Sequence, residues 1–171
     1  MNTQYQPQLL SKPEHIRVYA EHYLNSPEDK ISAETKREFQ TFVSKRYHKI
    51  KRFGIQELRV SGQPYANADE LFQDFEQNHR IRVSTEFNQP VVLDEEGNLK
   101  FRFIHDFDHC FLRSPFDWMG ENQTCYHLCS LTSNPLLRRI IRSEIVYQAA
   151  AYFYLGDFPD TQKLVLSDPR F

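Results

Sequence analysis

Apolar positions recur at helical spacing through most of the chain. Ile16, Tyr19, Ala20, Tyr23 and Leu24 mark a first helix over 14–24, closed by Pro27. A longer helix is predicted over 32–53, with Phe39, Phe42, Val43, Tyr47, Ile50 and Phe53 as its apolar stripe and Gly54 at its stop. Asn67 followed by Glu70 has the chemistry of an N-cap and its capping-box partner, and opens a helix through Leu71, Phe72 and Phe75 to about Asn78. Three more helices are expected. One runs from Leu99 to Leu112 and is broken by Pro115; one runs from Met119 to Leu131 and ends at Ser133-Asn134-Pro135. The last spans Leu136 to Leu155, with Gly156 as its stop.

Elsewhere the helical period fails. Ile55–Val60 and Arg80–Ser84 have the character of short strands and are expected to pair as a small hairpin-like appendage. Residues 1–13, polar and carrying Pro7 and Pro13, are expected to form a loose arm; residues 88–98 are expected to be a loop. In the tail after Gly156, Lys163–Leu166 is expected to dock on the body. The predicted fold class is mainly α: a single-domain helical bundle over residues 14–171 with at most a small two-stranded β appendage.

Composition narrows the function. Aromatics make up 14% of the 171 residues, so burial rests on rings. A net charge of −2 gives no global attraction for nucleic acid. The local basic run Lys45, Arg46, His48, Lys49, Lys51 and Arg52 is expected to be a solvated helix face. Cys110, Cys125 and Cys129 are an odd number without a CxxC pair, which points to free thiols and a cytoplasmic setting. The N-terminus lacks a secretory pattern, and no run approaches the roughly 18 apolar residues a transmembrane segment needs. There is no GxGxxG, GxxxxGK[ST] or GxSxG, so nucleotide-binding and serine-hydrolase readings have no foothold.

The chemistry concentrates in His105-Asp106-Phe107-Asp108-His109 and the later Glu121. Histidines at i and i+4 share a helix face, so their imidazoles can converge on one divalent ion. A carboxylate from a second helix, Glu121, would complete a His-His-Glu set with an open position. Zinc is favoured, and iron or manganese suit the same donors. Asp106 is the candidate catalytic residue, either activating water or orienting a histidine. Asp108 is expected at the surface or capping an N–H. Glu144 and Gln148, one turn apart on the last helix, are the next residues placed to reach the site, and Tyr147 could supply a phenol nearby. Cys125, His127 and Cys129 do not share one face, and buried free cysteines are expected.

The segment His105-Asp106-x-x-His109 with Gly120-Glu121 resembles the signature of the coenzyme Q biosynthesis family represented by the fourth Coq protein. That resemblance implies an all-helical fold, a divalent metal held by this motif, and action at C1 of a quinone head-group precursor. A wider resemblance takes in Pro64-Tyr65-Ala66-Asn67-Ala68, Arg80–Ser84, Phe101-Arg102-Phe103-Ile104-His105-Asp106, His109 and Gly120-Glu121. These are similar to an uncharacterised family of bacterial and phage proteins with an FRAVHDxxGH core followed by GE. Phe103-Ile104 replace its Ala-Val, and Asp108 replaces its glycine. Arg102 belongs to that pattern and is a candidate for an anionic substrate group or a site carboxylate.

Two function classes stay open. One is a metal-dependent enzyme, hydrolase or decarboxylase, acting on a small organic substrate. The other is a helical scaffold with a structural metal that binds a partner or a hydrophobic, isoprenoid- or quinone-like ligand. An HD-type phosphohydrolase would need further His and Asp ligands.

Overall fold

The structure, a computed structural model, describes residues 12–160 and 162–169. Most of the expected arm lies outside the described residues; Lys12 and Pro13 already belong to helix α1 (Lys12–Asn25). Helix α2 (Ala33–Lys51) begins where Ser32 Oγ accepts from the Thr35 N–H. Gly54, with φ of 76°, turns the chain into strand β1 (Gln56–Val60). Helix α3 (Ala68–Asn78) carries the expected Asn67 cap, and Glu70 reaches back to the Ala66 N–H at 2.8 Å.

Strand β2 (Arg80–Ser84) pairs with β1 in parallel, Gln56 opposite Arg80 and Val60 opposite Ser84. The expected hairpin-like pairing is therefore corrected. A hairpin needs a tight turn, whereas α3 lies between the strands and returns the chain to the same end of the sheet. Asp74 of α3 locks this unit. Its carboxylate takes hydrogen bonds from Tyr65, Asn78, Arg80 and Arg82, which together outweigh burial and hold it well below the usual carboxylate range.

Helix α4 (Glu95–Leu112) starts at Glu95, inside the segment expected to be loop. Asp94 explains the early start: its Oδ1 accepts the Gly97 N–H at 2.6 Å, and Glu95 and Glu96 suit the positive end of the helix dipole. Helix α5 (Trp118–Ser130) is capped by Asp117. The final long helix is interrupted. It consists of α6 (Pro135–Arg142), a π-helical turn (Ser143–Tyr147) and α7 (Gln148–Leu155).

α2 packs on α4, α4 on α5, α5 on α6 and the π turn, and α1 along α7, while β2 and α3 lie against α4. Tyr23, Phe39, Phe103, Ile104, Leu128, Ile140 and Ile141 are fully buried between these layers. The tail docks as expected: Leu164 and Val165 are buried, the Val165 N–H donates to Ser143 Oγ, and the Leu166 N–H donates to Asp29. No helix among the described residues is long and apolar enough to cross a membrane.

Asp108 is a second correction. It is 1% exposed, not at the surface, and Arg46 Nη2 donates to its Oδ1 at 2.8 Å. His127 Nε2 stands 3.6 Å from the same oxygen. The three residues come from α4, α2 and α5, so one buried polar cluster ties together the helices that build the site. Arg46 is thereby withdrawn from the expected solvated face, with a side chain only 13% exposed. Lys45, His48, Lys49 and Arg52 stay exposed.

Candidate metal centre

His105 and His109 occupy one face of α4, a turn apart, and Glu121 reaches them from the first turn of α5. The two Nε2 atoms are 3.2 Å apart. Glu121 Oε2 lies 3.0 Å from His105 Nε2, and Oε1 lies 3.4 Å from His109 Nε2. Donors about 2.1 Å from a single tetrahedral ion stand roughly 3.4 Å from one another, so these separations fit a shared cation. The three residues are a group that can hold a metal ion.

Two neighbouring features place the ligands. α4 ends with Arg113 in the left-handed region, at φ of 53°, and this turns the Ser114 carbonyl onto His109 Nδ1 at 3.0 Å. Nδ1 then carries the proton and donates to that carbonyl, which leaves the Nε2 lone pair free toward Glu121. Before Glu121, Gly120 lies against the Pro115 backbone so closely that a Cβ would stand 1.8 Å from the Pro115 carbonyl oxygen. The glycine ahead of the glutamate is thus a packing requirement.

Electrostatics bind the cluster together. Burial opposes charge on His105, yet Glu121 raises its pKa; burial also opposes charge on Glu121, yet the two imidazoles hold its carboxyl at about 2. His105 Nδ1 is buried without a hydrogen-bond partner. Asp106 has no hydrogen-bond partner among the described residues, so orientation of His109 falls to Ser114 rather than to Asp106. Burial pushes the Asp106 carboxyl up to about 6 against the pull of His105 and His109.

A cavity of about 690 Å³ opens over this cluster. His105, Asp106, His109 and Glu121 line it, as do Arg102, Glu144 and Gln148. The structure therefore brings these seven residues to one cavity, although Glu144 and Gln148 stand outside the three-residue metal group. Arg102 is committed to the backbone: it donates to the carbonyls of Ser84, Glu86 and Phe87 at 2.6–2.9 Å and fixes the loop after β2. Tyr147 is turned away, donating to the Ser167 carbonyl. Cys110 and Cys125 are buried and Cys129 half-buried, all as free thiols.

Glu144 pairs with neither Arg138 nor Arg142. Arg142 binds Asp168, Arg138 binds backbone carbonyls, and Glu144 accepts from Gln148 Nε2 at 3.0 Å. Burial pushes its carboxyl up to about 7, with the Gln148 hydrogen bond opposing. The folded state thus keeps a proton that the unfolded chain releases near pH 4.3, so stability falls as pH rises through this interval and stays lost above 7. Glu144→Gln should melt like the parent near pH 4.5 and gain about 2–3 kcal/mol over it at pH 8. Parallel melting curves at both pH values would refute this.

Two elements of the site were not foreseen. Ser114 gave no sequence signal. The π turn did leave one: Ile140 and Ile145, and Ile141 and Val146, are buried pairs at a spacing of five instead of three or four. Compared with family models, with curated proteins and with solved structures, the chain has no match in any of the three.

Proposed function

We propose that this chain is a metal-dependent enzyme that binds one divalent cation, zinc in preference to iron or manganese, through His105, His109 and Glu121. The observation that carries this reading is the convergence of three donor atoms, at separations of 3.0–3.4 Å, on the wall of an open cavity. A structural zinc site closes its shell with four protein ligands, whereas three leave a position for substrate. The resemblance to the coenzyme Q biosynthesis motif supports the same ligand assignment; it carries no substrate to this chain.

When bound there, the cation supplies Lewis acidity and eases deprotonation of water, which favours hydrolysis of a small organic substrate. Asp106 shares the cavity wall, is free of hydrogen bonds among the described residues, and has a carboxyl pushed toward neutrality. It is placed to take and return a proton. Ser114 keeps His109 in the ligating tautomer, and the Arg46–Asp108–His127 cluster keeps α4 against α5.

Elemental analysis tests the ligand set. The purified parent should carry one equivalent of divalent metal, and His105→Ala and His109→Ala should carry almost none. Equal metal in all three proteins would end the proposal. Asp106→Asn should keep both metal and fold; loss of metal in this variant would make Asp106 a ligand-positioning residue instead of a proton-transfer group.

A further inference from the structure

Beyond its metal ligands, the cavity is lined by more acidic than basic side chains. Five carboxylates line it, Glu86, Asp106, Glu121, Glu144 and Asp157, against the single guanidinium of Arg102. Arg102 and a divalent ion together would offset three of the five. Glu86 and Asp157 are exposed to solvent, and of the other acids Glu144 is the one that lies apart from the metal ligands. Glu144 and Gln148 stand on the wall built by the π turn and α7, whereas the metal donors come from α4 and α5.

Glu144 is half-buried on the cavity wall, and its Oε1 accepts no hydrogen bond among the described residues. Gln148 spends one amide proton on Glu144 Oε2, which leaves its own carbonyl oxygen as a further acceptor. Both groups thus offer the cavity acceptors with no donor facing them. A half-buried carboxylate without a cation is incompletely solvated, and a cation arriving in the cavity would compensate it. Aromatic rings line the cavity beside them. Phe158 stacks on Phe87 with centroids 5.8 Å apart and packs tilted against Tyr152 at 4.8 Å. Phe153 also lines the cavity. Ring faces suit an apolar body and attract a cation.

On the reading of the site as a metal enzyme, we infer that its substrate is a small organic cation, a primary amine on an apolar or aromatic body, with the ammonium group held by Glu144 and Gln148. The cavity volume of about 690 Å³ accommodates a molecule of that class. Carboxylate and phosphate substrates are disfavoured, because they would add negative charge beside Glu144 and Asp106.

Calorimetric titration of the zinc-loaded full chain at pH 8 with benzylammonium, benzyl alcohol and benzoate tests this. Benzylammonium should bind about tenfold or more tightly than either other probe, the scale of one charge-assisted hydrogen bond. In Glu144→Gln, which preserves shape, that preference should vanish while zinc stoichiometry stays at one. Three results would overturn the inference: benzoate binding as well as benzylammonium, an unchanged benzylammonium preference in Glu144→Gln, or no binding of any probe. Zinc release by Glu144→Gln would also overturn it, by making Glu144 a ligand. Should the parent hold no zinc, the metal proposal fails by itself, and the same titration on the metal-free chain still decides for or against the ammonium site.

Discussion

Gly120→Ala is expected to cost about 3 kcal/mol, or roughly 10 °C in Tm, despite adding one methyl group. A Cβ at this position would stand 1.8 Å from the Pro115 carbonyl oxygen, and the neighbouring atoms in its way are backbone, which cannot rotate aside. Either the first turn of α5 lifts or the 113–117 connection shifts. Both movements reach the site: Glu121 follows Gly120 directly, and Ser114, which orients His109, precedes Pro115. Zinc affinity should therefore fall about tenfold or more, the usual consequence of disturbing groups that orient ligands. Thermal melting and zinc titration of one preparation check both effects. A variant that matches the parent in both would show that the close approach is not a constraint.

Arg46→Ala should be comparably damaging, at about 3 kcal/mol or more, because it leaves the Asp108 carboxylate buried without its main partner. Burial already pushes the Asp108 carboxyl up against the pull of Arg46, and its Oδ2 has no hydrogen-bond partner. Without Arg46 the folded state keeps Asp108 protonated to higher pH than the unfolded chain does. Stability of the variant should then decline, relative to the parent, as pH rises from about 4 toward 8. A paired change, Arg46→Met with Asp108→Leu, should recover much of the loss, since the expense lies in an uncompensated charge. Additive losses in the double variant would assign the effect to packing instead.

Much of the bundle was legible in local chemistry. Asn67 announces a helix start, Gly54 and Gly156 announce stops, and each does so through one turn of backbone. The i, i+4 histidines and the glycine-glutamate pair were legible for the same reason: a helix turn fixes which side chains meet. What escaped depended on partners distant in sequence. Asp108 looked like a surface residue by its position on α4, and only the packing of α2 and α5 around it reveals a buried pair. The parallel strands were hidden because strand character gives no direction, and direction followed from α3 crossing between them. Asp94 was passed over inside a run of acids with a glycine, a composition shared by loops and by first helical turns. The expected surface role of Arg46 failed likewise, since a basic run shows nothing of which member turns inward.

The central claim is that three side chains from two helices hold one cation beside a cavity. Anomalous diffraction at the zinc edge, from crystals of the full chain grown with one equivalent of zinc, tests it most directly. One peak is expected, about 2.0–2.2 Å from His105 Nε2, His109 Nε2 and a Glu121 oxygen, with no fourth protein ligand. A peak elsewhere, at Cys125 and Cys129 for example, or no peak within reach of His105 and His109, would contradict the claim.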